Sequence, residues 1–228
     1  MVRGPDRMTQ LAGVEVLYIE LRAPVASFRN PLYAGVQVGL PCPPPATVGG
    51  LLAAACGGWE QVPIDLRFGM AFTASGTGTD LETYHPLLTT GRKGDPTPEN
   101  RPFLFDTVLR IWVFGDVERW EHALRRPVWP LRLGRSQDLA TARTRRARLQ
   151  PGTGNQGYSV VPAGLSNFGT LLQLPTAVSY NRSRTRWDPY RYHPAGGNAE
   201  IDSEWASENG DAVVVLPPVH PDQFNHYE

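Results

Sequence analysis

The sequence predicts an α+β fold in which strands outnumber helices. Residues 14–22 alternate side chains so that one face is very apolar, and they close on a charge, as a strand does. Residues 107–114 are rich in β-branched and aromatic side chains, which favour strands. Helical signals are confined to two short segments in the first 130 residues or so, so helices can form only a minority of the structure.

The first helix is predicted at residues 46–56, directly after the prolines of residues 43–45. Proline cannot continue a strand ladder, but it fits the first turn of a helix. Gly57 then supplies the left-handed cap that ends the helix. Gly49 and Gly50 inside it each cost about 1 kcal/mol relative to alanine. We therefore expect a packed strand or a bound backbone to approach this helix closely.

Two more strands and a second helix follow. The strands are predicted at residues 64–73 and 107–114, and residues 74–105 between them are rich in Gly, Thr, Pro and charge, which indicates a functional loop or an extended hairpin. Asp116 caps a short helix that stops before Pro127. The order strand, helix, strand, strand, helix is that of a ferredoxin-like domain, as in RNA-recognition folds.

We divide the chain into a ferredoxin-like domain at residues 1–150 and a smaller β-rich lobe with a tail at residues 151–228. Helical periodicity is nearly absent from the second part. Its predicted strands are residues 158–161, 170–180 and 212–216. The prolines that follow argue against further regular structure.

Composition excludes several classes of protein. The 22 Lys and Arg residues balance 22 Asp and Glu residues, so the whole chain has no basic bias that would announce a nucleic-acid partner. Cys42 and Cys56 match no metal-ligand spacing and are too few for a secreted disulfide scaffold. No apolar run has the length of a signal peptide or a membrane helix. We expect a cytoplasmic protein.

Familiar catalytic motifs are missing or misplaced. Residues 152–157 form a G-x-G-x-x-G pattern, but it opens a strand rather than a helix, so a glycine turn is favoured over a dinucleotide site. Lys93 is the only lysine and lies in no P-loop motif. The five histidines have no H-x-x-x-H spacing. We predict neither a metal nor another cofactor.

Two arginine-rich segments carry the case for RNA. Residues 119–148 contain nine arginines opposed only by Glu121 and Asp138, which favours phosphate binding, although part of the cluster fits a solvated face equally well. Residues 182–192 mix arginines with Trp and Tyr, as single-stranded RNA sites do. An arginine-rich edge strand explains this second run about as well.

Two motifs resemble a known family. The first comprises the strand at residues 14–22, the Phe28-Arg29 loop and residues 40–54 with the sequence LPCPPPATVGGLLAA. The second is WPLRLGRSQD at residues 129–138. In this order the motifs are similar to those of the CRISPR-associated Cas five family, in a type I-B-like form.

The resemblance implies a ferredoxin-like domain with a protruding thumb hairpin at residues 74–105. It also implies a subunit of the type I Cascade complex that caps the 5′ handle of the guide RNA (crRNA). Together with the arginine-aromatic run, the expected RNA contacts are Phe28, Arg29, Thr47, Tyr84, His85, Arg92, Lys93, Arg132, Gly134, Arg135, Ser136, Arg182 and Arg184. The implied partners are the crRNA, the Cas seven backbone subunit and the Cas eight large subunit, with target DNA met indirectly.

We expect an RNA-binding subunit without catalytic activity. Family members of type I-C cleave precursor RNA with a residue set that includes an adjacent Lys-His pair, and this sequence has no such pair. The alternatives are a metal-independent endoribonuclease that uses His85 or His193, and a scaffold that binds only protein.

Overall fold

The computed structural model of the protein describes residues 13–33, 37–84 and 95–227. The elements of its first part are β1 (Val14–Ala26), α1 (Pro45–Cys56), β2 (Phe68–Tyr84), β3 (Thr97–Phe114), α2 (Val117–Arg125) and β4 (Thr141–Pro151). A short 3₁₀ helix, Trp59–Gln61, follows α1. The predicted mixture of many strands and few helices is confirmed.

The remaining strands are short, apart from two. They are β5 (Gly154–Asn155), β6 (Val161–Pro162), β7 (Thr170–Val178), β8 (Thr185–Tyr192), β9 (Glu200–Ile201), β10 (Trp205–Ala206) and β11 (Ala212–Val213). Two 3₁₀ helices, Ala163–Leu165 and Pro221–Tyr227, complete this part.

An antiparallel sheet with the order β11-β10-β4-β1-β3-β2 organises the molecule. β1 pairs with β3 from Val16↔Phe114 as far as Ala26↔Leu104. β2 and β3 continue to pair beyond that point, as far as Tyr84↔Thr97. Residues 78–84 and 97–103, here called the distal hairpin, therefore extend past the pairing with β1 as a two-stranded ribbon.

Both helices pack on one face of this sheet. Alternate residues of β1, including Leu17, Ile19 and Leu21, are fully buried in the same cluster as Leu52 of α1 and Trp120 of α2. Asp116 accepts a hydrogen bond from the Arg119 backbone N–H, which confirms the predicted helix cap. α1 ends at Gly57, whose φ is 100°, also as predicted.

The two glycines inside α1 have different surroundings. A Cβ on Gly49 would lie 2.6 Å from Val219 Cγ2, so a close neighbour exists, but it is a side chain of the C-terminal segment rather than the predicted strand or bound backbone. A Cβ on Gly50 would meet nothing within 4 Å. That face of α1 is open.

The residues after 150 add to the same core. β10 pairs with β4, and Tyr190, Leu216 and Val219 belong to the cluster that contains Leu17. β7 and β8 pair along their length, and β6 flanks β8 on the other side. The division of the chain at residue 150 stays a prediction.

Several predictions of secondary structure were wrong. β2 begins at Phe68 rather than residue 64, because residues 63–66 form a turn that leaves Ile64 exposed. Residues 141–151, interpreted as part of an arginine-rich surface, form the strand β4, whose pattern is hidden because Leu149 alone is buried. The tail contains the helix Pro221–Tyr227, since proline is accepted at a helix start. No helix among the described residues is long and apolar enough to cross a membrane.

Candidate nucleic-acid interface

A groove of about 380 Å³ lies between α1 and the loop that follows α2. The two sequence motifs, far apart in the chain, meet here. The groove is lined by Thr47, Gly50, Leu51, Ala54, Trp129, Pro130, Arg132 and Gly134. Three predicted RNA contacts, Thr47, Arg132 and Gly134, therefore share one site. We call it the α1 groove.

The loop is held by carbonyl groups in the last turn of α1. The backbone N–H groups of Val128 and Trp129 donate to the carbonyls of Ala55 and Ala54 at 3.1 and 3.2 Å. The last carbonyls of a helix have no partner within the helix, so the loop satisfies them. Its backbone is thereby fixed while its side chains stay available, with Val128 and Trp129 each 60% exposed.

The exposed groups of the α1 groove suit single-stranded RNA. Trp129 offers an open ring face on which a base can stack, and Arg132 is exposed beside it. The first turn of α1 contains no acidic side chain, so no carboxylate opposes the positive end of the helix dipole. The sequence shows Trp129 only as part of a motif, because the exposure of its ring next to Arg132 depends on the fold.

Arg135 does not face solvent, in contrast to Arg132. Its side chain is 8% exposed. Its Nη1 lies 2.7 Å from Glu82 Oε1 and 3.0 Å from Asp80 Oδ2, and its Nε lies 3.0 Å from Asp138 Oδ2. Burial by itself would lower the pKa of the Arg135 guanidinium. The hydrogen bonds to the three carboxylates outweigh burial and raise this pKa above its ordinary value. Carboxylates therefore occupy Nε and Nη1 of the guanidinium, and the predicted contact of Arg135 with phosphate stays a prediction.

Gly134 serves the fold as well as the groove. Its φ is 105°, and a Cβ there would lie 2.6 Å from the carbonyl oxygen of Ser27 and 2.9 Å from its nitrogen. Only glycine fits this contact without strain. The loop therefore contacts the backbone directly after β1 at Ser27. Ser136, two residues further along the loop, is exposed.

Phe28, a predicted RNA contact, lies in the core, and its contact with RNA stays a prediction. The side chain is 4% exposed and packs edge-on against Phe72, with ring centroids 5.8 Å apart. The hydrophobic effect accounts for the position of this side chain, because it packs against core residues of the sheet such as Phe72. Arg29 beside it is exposed, and its Nη2 lies 3.4 Å from the carbonyl oxygen of Tyr33.

Four predicted RNA contacts lie in residues 84–93 of the sequence. His85, Arg92 and Lys93 lie outside the described residues. Tyr84 is the last residue of β2, and only its backbone is described.

Two of the four arginines of β4, Arg145 and Arg146, pair with nearby acids. Arg145 pairs with Glu208 and lies over the Tyr18 ring at 4.6 Å. Arg146 lies 3.4 Å from Glu121 of α2. The solvated-face interpretation of this part of the cluster is therefore the better one.

The second arginine-aromatic run is mostly structural. Tyr190 and Tyr192 are buried, and burial raises the pKa of both hydroxyls. Arg182 lies in the turn before β8, and Arg184 lies 5.4 Å from the Phe224 ring. Arg182 and Arg184 are exposed, and their RNA contact stays a prediction.

His193, the described candidate for acid-base chemistry, has a local partner. Its Nδ1 accepts a hydrogen bond from the backbone N–H of Ala195 at 3.2 Å, and its ring lies 5.1 Å from that of Phe168. The neighbouring Tyr192 donates its hydroxyl to the Phe72 carbonyl, 3.0 Å away in the core. Within the described ranges, no three His, Cys, Asp or Glu side chains gather as metal ligands would.

A comparison with known protein families gives a match that spans the α1 groove and both sequence motifs almost entirely. The family described as "CRISPR-associated protein (Cas_Cas5)" matches residues 16–191. The chain belongs to this Cas five family. No curated protein matches the chain.

One of three similar solved structures has a TM-score above 0.5 and supports the fold of this Cas five family member. A chain of a "CRISPR RNA-guided surveillance complex" is 20% identical with a TM-score of 0.54, over 81% of this chain and 91% of that one. A CRISPR protein from Archaeoglobus fulgidus is 13% identical with a TM-score of 0.48, over 89% of this chain and 99% of that one. A chain of the Type III-B Cmr-beta complex bound to cognate target RNA is 8% identical with a TM-score of 0.48, over 82% and 86%.

Proposed function

We propose that this protein is a non-catalytic, crRNA-binding subunit of a type I CRISPR surveillance complex, and that it holds the 5′ handle of the guide RNA in the α1 groove. One observation carries the proposal. Two motifs far apart in the chain converge on one open groove that presents an exposed tryptophan, an exposed arginine and an uncovered helix face.

The architecture supports this assignment. The order strand, helix, strand, strand, helix, strand, with β1 central between β3 and β4, fits a ferredoxin-like domain. The β2–β3 hairpin corresponds to the thumb of the Cas five family. In this proposal the thumb reaches the adjacent backbone subunit, and the protein bridges it to the large subunit of a type I-B-like complex.

The chemistry of the α1 groove suits a bound single strand. Arg132 neutralises a phosphate, a base stacks on Trp129, and the open surface at Gly50 lets the RNA backbone approach α1. This combination holds a strand in place and contains no general acid or base.

Binding of repeat-derived RNA tests the proposal. Arg132→Ala should weaken binding by about 1–3 kcal/mol, and Trp129→Ala by a similar amount, if the first pairs with phosphate and the second with a base. Arg22→Ala is the matched control, because this arginine is 57% exposed but lies on β1 and pairs with Glu20. Its affinity should equal that of the wild type.

The same assay tests the absence of catalysis. Intact RNA after incubation in chelator supports the binding role. Cleavage that persists in chelator and disappears in His193→Ala would replace it with the endoribonuclease alternative. In the binding assay, equal affinity of the wild type, Arg132→Ala, Trp129→Ala and Arg22→Ala would show that the α1 groove is not the binding site.

A further inference from the structure

We propose that Arg135 is a positioning residue, which locks the loop of the α1 groove to the distal hairpin so that both present a fixed arrangement to the RNA. The lock itself rests on described contacts. Its effect on RNA rests on the proposed function.

The lock joins elements that the sheet alone does not hold together. The last β3 residue that pairs with β1 is Leu104, which faces Thr77 of β2. Asp80 and Glu82 lie on β2 beyond this point, where the hairpin has only two strands. A two-stranded ribbon is marginally stable by itself. Arg135 reaches both carboxylates from the loop at 3.0 and 2.7 Å, so it braces the ribbon from outside the sheet.

The loop end of the lock is equally well made. Asp138 is 3% exposed in its side chain, and its Oδ2 accepts hydrogen bonds from both Arg135 Nε and the Arg135 backbone N–H, at 3.0 and 3.1 Å. The carboxylate therefore sets the rotamer of Arg135 and the bend of the loop together. Such paired hydrogen bonds to a charge are the strong ones.

A second cation closes the network. Arg101 of β3 donates to Glu82 Oε2 at 2.9 Å and to Ser27 Oγ at 3.1 Å. Ser27 is the residue against which Gly134 packs. The contacts thus run from Gly134 through Ser27, Arg101 and Glu82 back to Arg135, and they connect the groove to the hairpin by two routes.

The charge balance opposes a direct role in phosphate binding. Asp80, Glu82 and Asp138 place three negative charges around the two guanidinium groups of Arg101 and Arg135. The cluster therefore has a negative excess, which would repel a phosphate. Burying charges is costly, and a paired, hydrogen-bonded cluster of this kind is better explained by the orientation that it enforces.

Hydrogen exchange in the free protein tests the lock without RNA. In Arg135→Gln, the amides of the distal hairpin at residues 78–84 and 97–103 should exchange about tenfold faster than in the wild type, because local opening becomes easier. Arg132→Ala removes a neighbouring arginine with no such contacts and should leave them unchanged. Unchanged exchange in Arg135→Gln would overturn the lock.

Glu82→Gln provides a second test from the hairpin side, in case Arg135→Gln fails to fold. Glu82 is partly exposed, and its replacement leaves the contact between Arg135 and Asp138 intact. It should also speed exchange of the distal hairpin. The same exchange as the wild type in this variant would likewise count against the lock.

RNA binding then separates positioning from contact. A phosphate contact on a single strand contributes about 0.7 to the slope of log K against log salt. Arg132→Ala should lower the slope by this amount, whereas Arg135→Gln should weaken affinity about threefold to tenfold with no change of slope, since only coupling is lost. A lower slope in Arg135→Gln would overturn the positioning role.

The sign of the Glu82→Gln effect is decisive. If Arg135 contacted phosphate, removal of a neighbouring negative charge would tighten RNA binding. If Arg135 positions the loop, the same change weakens binding. Failure of the wild type to bind repeat RNA would instead refute the proposed function, and the exchange data would still decide whether the lock exists.

Discussion

The groove loop at residues 128–139 and the β8 segment at residues 182–192 have similar compositions and opposite fates. Both combine arginines with aromatic rings. In the loop, Trp129 is 60% exposed beside the exposed Arg132. In β8, Tyr190 and Tyr192 are at most 1% exposed, and Arg191 donates to the Gly169 carbonyl at 3.0 Å.

Backbone partners account for the difference. β8 lies between β6 and β7, so alternate side chains must enter the core. The loop is anchored by backbone hydrogen bonds to the end of α1. Arg132 forms only an isolated bridge, with Leu139 of the same loop, and neither Trp129 nor Arg132 lies in a strand of a sheet. A sequence segment rich in arginine and aromatic residues therefore indicates an RNA-binding surface only where the backbone conformation leaves these side chains exposed to solvent.

The largest expected effect that separates the two regions comes from Gly134→Ala. The left-handed φ and the contact with Ser27 should together destabilise the protein by about 3 kcal/mol, measured by urea unfolding. Gly50→Ala is the matched control, since its Cβ meets nothing within 4 Å, and it should stabilise the helix by up to about 1 kcal/mol. Equal stability of the two variants would show that the loop does not depend on this contact.

A pair of aromatic substitutions should give opposite results in the two regions. Tyr190→Phe removes a hydroxyl that lies 2.8 Å from Thr176 Oγ1 in the core, and it should cost about 1–2 kcal/mol of stability while RNA affinity is unchanged. Trp129→Leu should weaken RNA binding by about 1–3 kcal/mol with little loss of stability. The reverse pattern would place the RNA on β8.

The smallest expected effect is a loss of folding stability at low pH. Partial burial disfavours the charge on Glu82, but hydrogen bonds from Arg135 and Arg101 outweigh it and lower the pKa of the carboxyl below its ordinary value. A lowered pKa gives stability that is present above the unfolded value and lost as pH falls through the folded value. Below about pH 4.5 the wild type should therefore lose up to about 1 kcal/mol more than Glu82→Gln.

The charged groups around the Glu82 carboxylate are Arg101 and Arg135, which pair with it, and Asp80 and Asp138, which pair with Arg135. Urea unfolding of both proteins between pH 3 and 8 measures the difference. Parallel curves across this range would show that the lock does not contribute to stability through Glu82.

Short-range chemistry was enough to predict α1 and α2. Their ends depend on Gly57 and on the bond between Asp116 and the Arg119 N–H, which are formed by residues close in sequence. The two motifs also identified the family and three residues of the α1 groove, because each motif is a continuous stretch of chain.

The tertiary structure decided which neighbours each side chain meets. Phe28 is buried because Phe72 packs on it, and Arg135 is occupied because Asp80 and Glu82 come to it from a distant strand. β4 escaped prediction because one of its residues alone is buried. Capping and periodicity act over a few residues and can be read along the chain, whereas burial and charge pairing are long-range and arise only when the chain has folded.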